Sequence, residues 1–258
     1  MRFVPKRLVK TADASQGEMS WESFLKNVVS VVGVFVLGYL LLGALGELLA
    51  RTIPDRWEAR SFSAPEFDAP ASRRHFVRAE KIFQRLLVSP GLRALPYRLF
   101  LVPMSEPNAF AIPGGGVGVT EGLLADIQSE AGLALVLGHE LGHHQARHPL
   151  KRVGRMLVFS VAGALLFGAR DSSLVDRSLA IADSSYSRGH ERQADAFGLR
   201  LVHDVFGHTE GSLEFFERIQ SEHGAGEMRW TAFVQSHPLT SSRIADLVSL
   251  QVALDTGR

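Results

Sequence analysis

The residues best suited to chemistry lie in the stretch Leu135-Val136-Leu137-Gly138-His139-Glu140-Leu141-Gly142-His143. On a helix, His139 and His143 project from nearly the same side, one turn apart, with Glu140 beside them. Two neutral imidazoles can hold a metal ion, and a neighbouring carboxylate can take a proton from an attacking water, which is the equipment of a zinc hydrolase. Between residues 131 and 138 no side chain is polar, so this helix belongs in a core rather than on a surface. Gly132, Gly138 and Gly142 each lose roughly 1 kcal/mol against alanine inside a helix, a loss that makes sense where other backbone packs closely. Pro149 is expected to end the helix just after His148.

A catalytic zinc uses three protein ligands and keeps a fourth position open, so one ligand must come from elsewhere. Residues 184–206 read as a long helix closed by Gly207, and it carries Glu191 and Asp195 one turn apart. By itself that pair would ordinarily be a solvated face. Set against the first helix, Glu191 becomes the candidate third ligand, and Asp195 is placed to receive the outer N–H of a ligand imidazole. The expected cofactor is one zinc ion. His144 and His148 are expected to be packing or surface groups, and His190 points about 100° away from Glu191 around its helix.

The elements that must position these residues follow from the rest of the chain. Its 258 residues suit one globular domain plus an appendage. Lys plus Arg is 28 and Asp plus Glu is 27, with no basic block, so nucleic acid is set aside as a partner. Cysteine is absent, which removes disulfide scaffolds, cysteine nucleophiles and cysteine-type zinc sites together. Residues 1–26 are polar and mildly basic. Residues 27–46 then carry no charge, and 20 residues of helix reach about 30 Å, the thickness of a bilayer's hydrocarbon core. A transmembrane helix over residues 27–50, in contact with lipid, is therefore expected; a cleaved signal peptide fits less well, because the apolar run is long and no small-x-small site follows. Arg2, Lys6, Arg7, Lys10 and Lys26 precede the span, while Arg51, Arg56 and Arg60 follow it. That bias places the N-terminus in the cytoplasm and the following domain on the opposite, periplasmic or equivalent, face.

Residues 51–70, with Pro54, Pro65 and Pro70, read as an extended linker, and the folded domain is expected over residues 71–258. Within it, residues 71–88 form an amphipathic helix, and residues 97–102, 109–112 and 117–119 form strands of a small antiparallel sheet. Pro113-Gly114-Gly115-Gly116 reads as a hairpin turn rather than a phosphate loop, since neither nucleotide-binding fingerprint is completed. A short helix over 120–127 leads to Ser129, the expected N-cap of the His139 helix. Residues 156–169 are a second apolar run, too short to cross a bilayer alone, and a buried or interfacial helix is the reading. Residues 212–222 are amphipathic, and a last helix follows Thr240. The fold class is α+β, mainly helical.

His139-Glu140-Leu141-Gly142-His143 followed by Ser187-Arg188-Gly189-His190-Glu191-Arg192-Gln193-Ala194-Asp195 resembles the gluzincin zinc metalloendopeptidases, the group containing HtpX-type, CAAX prenyl-protein and Oma-type membrane proteases. Asn108-Ala109-Phe110-Ala111-Ile112-Pro113-Gly114-Gly115, Ser236-His237-Pro238 and Arg243 agree with it. The resemblance implies a zincin-type protease domain with His139, His143 and Glu191 as ligands, Glu140 as general base, and His237 and Arg243 near a polypeptide substrate. Asn108, Ala109 and Phe110 begin a strand on whose edge substrate could lie as an added strand. HtpX-type and CAAX-type members have several spans, so a single-span chain is closer to the Oma-type or periplasmic branch. The expected function is membrane-anchored peptide-bond hydrolysis in membrane or envelope protein quality control; the alternative is a zinc-binding scaffold without turnover at the membrane. Oligomeric state is not encoded legibly.

Overall fold

The structure is a computed structural model that describes residues 21–62, 73–167, 186–225 and 229–257. It separates into two compact units, residues 1–42 and 43–258. Helix α1, Trp21–Thr52, runs through the expected apolar span and extends it at both ends. It is long and apolar enough to cross a bilayer.

The extended linker is corrected over part of its length, because Asp55–Ser61 form helix α2. The cause is ionic. Glu58 is buried and accepts from Arg93 at 2.6 Å and from the Gly114 backbone N–H at 3.2 Å, while Asp55 takes the same guanidinium at 2.6 Å. Residues 63–70 of the linker lie outside the described residues. Helix α3, Arg73–Leu87, follows with Ile82, Phe83 and Leu86 buried.

Strands β1 (Arg98–Val102), β2 (Ala109–Ile112) and β3 (Gly116–Thr120) form a sheet in the order β1-β3-β2. The antiparallel expectation holds for β2 with β3, and is corrected for β1 with β3, which are parallel. Gly114 and Gly115, at φ 87° and 97°, make the hairpin turn that only glycine adopts readily. That turn drops β3 between its partners, where all five of its residues are buried, and leaves β2 at an edge of the described sheet. Thr120 then caps helix α4, Glu121–Asp126.

Helix α5, Glu130–Gln145, carries the first motif. Ser129 caps it as expected, its hydroxyl accepting from the Gly132 N–H at 2.9 Å, and the Glu214 carboxylate accepts from the N–H groups of Gln128 and Ser129. Every residue from Ala131 to His144 is buried. The stop assigned to Pro149 is corrected: α5 ends at Gln145, Arg147 reverses the chain at φ 59°, and Pro149 lies in the first turn of helix α6, His148–Phe167. A proline lacks an N–H that a first turn does not use, so it starts a helix as readily as it stops one.

Helix α7, Arg188–Phe206, is capped by Ser187 and closed by Gly207 at φ 76°. The core is built on its crossing with α5. A Cβ on Gly198 would stand 2.7 Å from the His139 nitrogen, and one on Gly142 would stand 2.9 Å from the Ala194 Cα. The close backbone packing expected at Gly138 and Gly142 is present, whereas Gly132 faces the Ser129 hydroxyl and the Glu214 side chain. Helices α8 (Glu214–Ala225), α9 (Thr231–Ser236) and α10 (Ser241–Thr256) complete the described fold, with α9 not anticipated. Phe215, Phe216, Trp230 and Phe233 join them to the core.

Candidate metal centre

The α5–α7 crossing brings the expected ligands together. His139 Nε2 stands 3.0 Å from His143 Nε2 and 3.6 Å from Glu191 Oε2, and His143 Nε2 stands 3.4 Å from Glu191 Oε1. A fourth group joins them from the loop after α9: His237 Nδ1 lies 3.2 Å from Glu191 and 3.3 Å from His139 Nε2. One donor atom from each of the four falls within 4.8 Å of the others, and all four residues are buried. Nitrogen and carboxylate lone pairs converging in a dry interior fit a zinc ion, whose charge such a donor set compensates. His139, His143, Glu191 and His237 are the residues that could hold it.

The outer face of each ligand is fixed by a partner. His139 Nδ1 donates to Asp195 Oδ1 at 2.8 Å, so Nε2 is left to face the centre. Burial alone would lower the basicity of His139; the hydrogen bond and charge of Asp195 more than offset it, and its pKa is raised. Asp195 opposes a burial penalty with hydrogen bonds from His139 and Arg243 and is held low. Arg243, expected near substrate, is buried and bonds to Asp195 and Glu191. Its Nε and Nη2 donate to the two Asp195 oxygens at 2.8 Å each, and Nη1 stands 2.8 Å from Glu191. Burial works against the Glu191 carboxylate, but hydrogen bonds from His143 and His237 prevail and hold it well below the usual range.

His148 was expected to pack or face solvent, and it is buried with Nδ1 2.9 Å from His143 Nδ1. Burial and nearby His190 push its pKa down to about 3, so it is neutral and can accept the His143 proton, leaving His143 Nε2 for the ion. Tyr186 stacks on the His143 ring, 4.0 Å between centroids. Neither residue was assigned from sequence. The only local signal for His148 was the proline after it, read as a stop. His144 is a packing group, bonded to the Gly116 carbonyl at 3.0 Å with its pKa pushed down to about 4 by burial. His190 stacks on His148, and its ring lies apart from the four donors.

Glu140 has no exposed surface, and neither of its carboxylate oxygens has a full hydrogen bond. Burial raises its pKa against the opposing charges of His237 and His139. His237 Nε2, itself unpartnered, stands 3.6 Å away. These two buried groups without hydrogen bonds face each other beside the convergent donors. Of the edge-strand residues, Ala109 is fully buried, Phe110 packs on Phe100 at 5.8 Å, and Asn108 pairs through its backbone with Thr120.

Comparison with known proteins agrees with this geometry. The chain is 32% identical over 171 residues to the mitochondrial metalloendopeptidase OMA1 of Schizosaccharomyces pombe, covering 64% of this chain and 49% of that protein. It is 28% identical over 180 residues to a putative beta-barrel assembly-enhancing protease of Vibrio cholerae, covering 65% and 37%. With the metalloprotease YcaL of Escherichia coli the identity is 28% over 183 residues, covering 68% and 69%. The chain thus spans about half or less of the first two relatives. Residues 74–251 match peptidase family M48, a stretch that holds the four convergent donors, Glu140, Asp195 and Arg243, and the chain belongs to that family.

Proposed function

We propose that this chain is a membrane-anchored zinc metalloendopeptidase acting in membrane or envelope protein quality control. The observation that carries the reading is Glu140: a buried carboxylate whose oxygens make no full hydrogen bond, 3.6 Å from His237 Nε2, raised in pKa, beside a convergent His139-His143-Glu191 group. Zinc, when bound, supplies Lewis acidity that makes a water more acidic and a carbonyl more electrophilic. Glu140 takes the proton of the attacking water and returns it to the leaving amine. His237 Nε2, facing Glu140, is placed to donate to the oxygen that gains charge. Asp195 and Arg243 hold ligand rings and carboxylate in register, so little rearrangement is needed during the reaction. The edge of β2 offers backbone pairing to an extended polypeptide.

Helix α1 supports the anchor, and the basic residues before it favour a cytoplasmic N-terminus with the catalytic unit on the other face. The test is cleavage of an unfolded protein such as casein by the purified full chain, lost with chelator and restored by zinc. A zinc-loaded chain that cleaves neither casein nor any membrane protein of its host would sink the reading.

One observation favours the alternative, a scaffold without turnover. His237 Nδ1 lies with the three ligands, and four protein donors are the mark of a closed, structural site. His237→Phe separates the two. As a donor to the reacting oxygen, His237 should be worth about 10² to 10³ in kcat with zinc retained; as a fourth ligand of a structural site, its loss should weaken zinc and uncover no cleavage.

A further inference from the structure

Helix α6 presents a feature that peptide hydrolysis does not require. Leu157 and Val161, four residues apart and so on one face, are 61% and 60% exposed. Of the two forms expected for this run, buried or interfacial, that exposure fits the interfacial one. Residues 156–167 carry no charge, and 12 helical residues rise about 18 Å, close to the depth of one leaflet. Arg170 and Asp171 follow, too soon for a crossing.

The level at which this run begins is set by contact with the end of α1. A Cβ on Gly154 would stand 2.7 Å from the Gly46 carbonyl, and one on Gly46 would stand 2.8 Å from the Arg155 backbone. Arg147, just before α6 and seven residues before Gly154, donates to the Ala50 carbonyl, so the two segments run antiparallel at this crossing. Gly46 is the last residue of the charge-free run in α1, and Arg155 is the last charge before the apolar run of α6. The boundary between charged and apolar sequence therefore falls at the same height on both helices. On the charged side Arg51 is exposed, a long side chain of the kind that reaches headgroups while its stem lies along apolar surface.

We propose that residues 156–167 of α6 are a second membrane-contacting element, which enters one leaflet without crossing it and holds the metal centre about two helical turns from the bilayer surface. The occupant of the exposed face is lipid. His148, which touches ligand His143, is separated from Arg155 by seven residues, about 10 Å of rise. Peptide bonds within reach are then those lying just outside a membrane. The inference rests on the membrane-anchored reading, and it narrows the substrate class to membrane-proximal segments.

The absence of cysteine makes the test direct. Leu157→Cys, Val161→Cys, Val34→Cys in α1 and Val252→Cys in α10 are introduced singly into the full chain, all at exposed positions. Each is labelled with bimane and reconstituted in vesicles of phosphatidylcholine with a minority of phosphatidylglycerol. Labels at 157 and 161 should be quenched by brominated lipid and protected from iodide, as at 34, with the reverse at 252. Iodide access at 157 and 161 equal to that at 252 overturns the proposal; if the label at 34 remains in lipid, the anchor survives that loss. A label at 34 open to iodide removes the anchor and, with it, this inference, whatever the labels at 157 and 161 show.

Discussion

Glu140 is fully buried and neither of its oxygens makes a full hydrogen bond, whereas Glu191 and Asp195 beside it are each held by several donors. Glu140→Gln keeps shape and removes basicity, so kcat should fall about 10² to 10⁴-fold while zinc stays bound; steady-state kinetics and elemental analysis check both halves, and undiminished turnover would refute the role. His139→Ala and Glu191→Ala should each lose the ion under the same analysis, with His190→Ala retaining it. His144 allows a prediction about pH. Its folded pKa of about 4 lies below the ordinary histidine value of 6.5, so the folded state resists a proton that the unfolded chain takes up. Stability from keeping it neutral is complete above pH 6.5 and is lost as pH falls toward 4, by ~3 kcal/mol in all. Denaturant unfolding across that window should show His144→Gln with a flatter slope than the parent. The convergence of His139, His143 and Glu191 was legible because helical spacing places them, residue by residue. His148, Tyr186 and the clamp made by Arg243 were not, since each depends on where a chain reversal or a distant helix delivers a side chain.

The crossing of α5 and α7 sets the distances between ligands, because His139 and His143 ride on one helix and Glu191 on the other. Gly198→Ala would put a methyl 2.7 Å from backbone nitrogen and 2.9 Å from the Gly138 carbonyl carbon, neither of which can yield as a side chain does. The expected cost is about 1 to 3 kcal/mol, a fall of roughly 3 to 10 °C in Tm for a domain of this size, with weakened zinc retention. Gly189→Ala, where the new methyl meets only the Ser187 hydroxyl at 3.8 Å, should be neutral or slightly stabilising. Paired thermal scans with and without zinc decide the matter, and equal effects at both sites would refute the crossing's role. Caps at Ser129 and Gly207 and the all-apolar face of α5 were readable, as local chemistry imposes them. Pro149 was ambiguous in kind, and the parallel pairing of β1 with β3 arises from a chain path that no local pattern records.

For the whole molecule, the full chain should remain with membranes through alkaline carbonate extraction, and release would count against the anchor. Truncation within the former linker offers a sharper comparison. Removing residues 1–53 keeps Asp55 and Glu58, whereas removing residues 1–62 strips both carboxylates from Arg93, whose side chain is 9% exposed. Leaving that cation unpaired should cost about 3 kcal/mol or more, visible as a lower denaturation midpoint for the shorter chain; identical midpoints would show that α2 is not integral to the fold. The docking of α2 also fixes how far the enzyme can search. A flexible linker of 20 residues would let a domain sample roughly 25 Å around its attachment. Here the segment after the anchor is helical, and Glu58 and Asp55 fasten it to Arg93, while Arg147 grips Asp55 and the last turns of α1. On the membrane-anchored reading proposed above, encounter becomes a problem in two dimensions: targets would drift to the enzyme within the plane of the membrane, and turnover should scale with their surface density rather than with their concentration in solution.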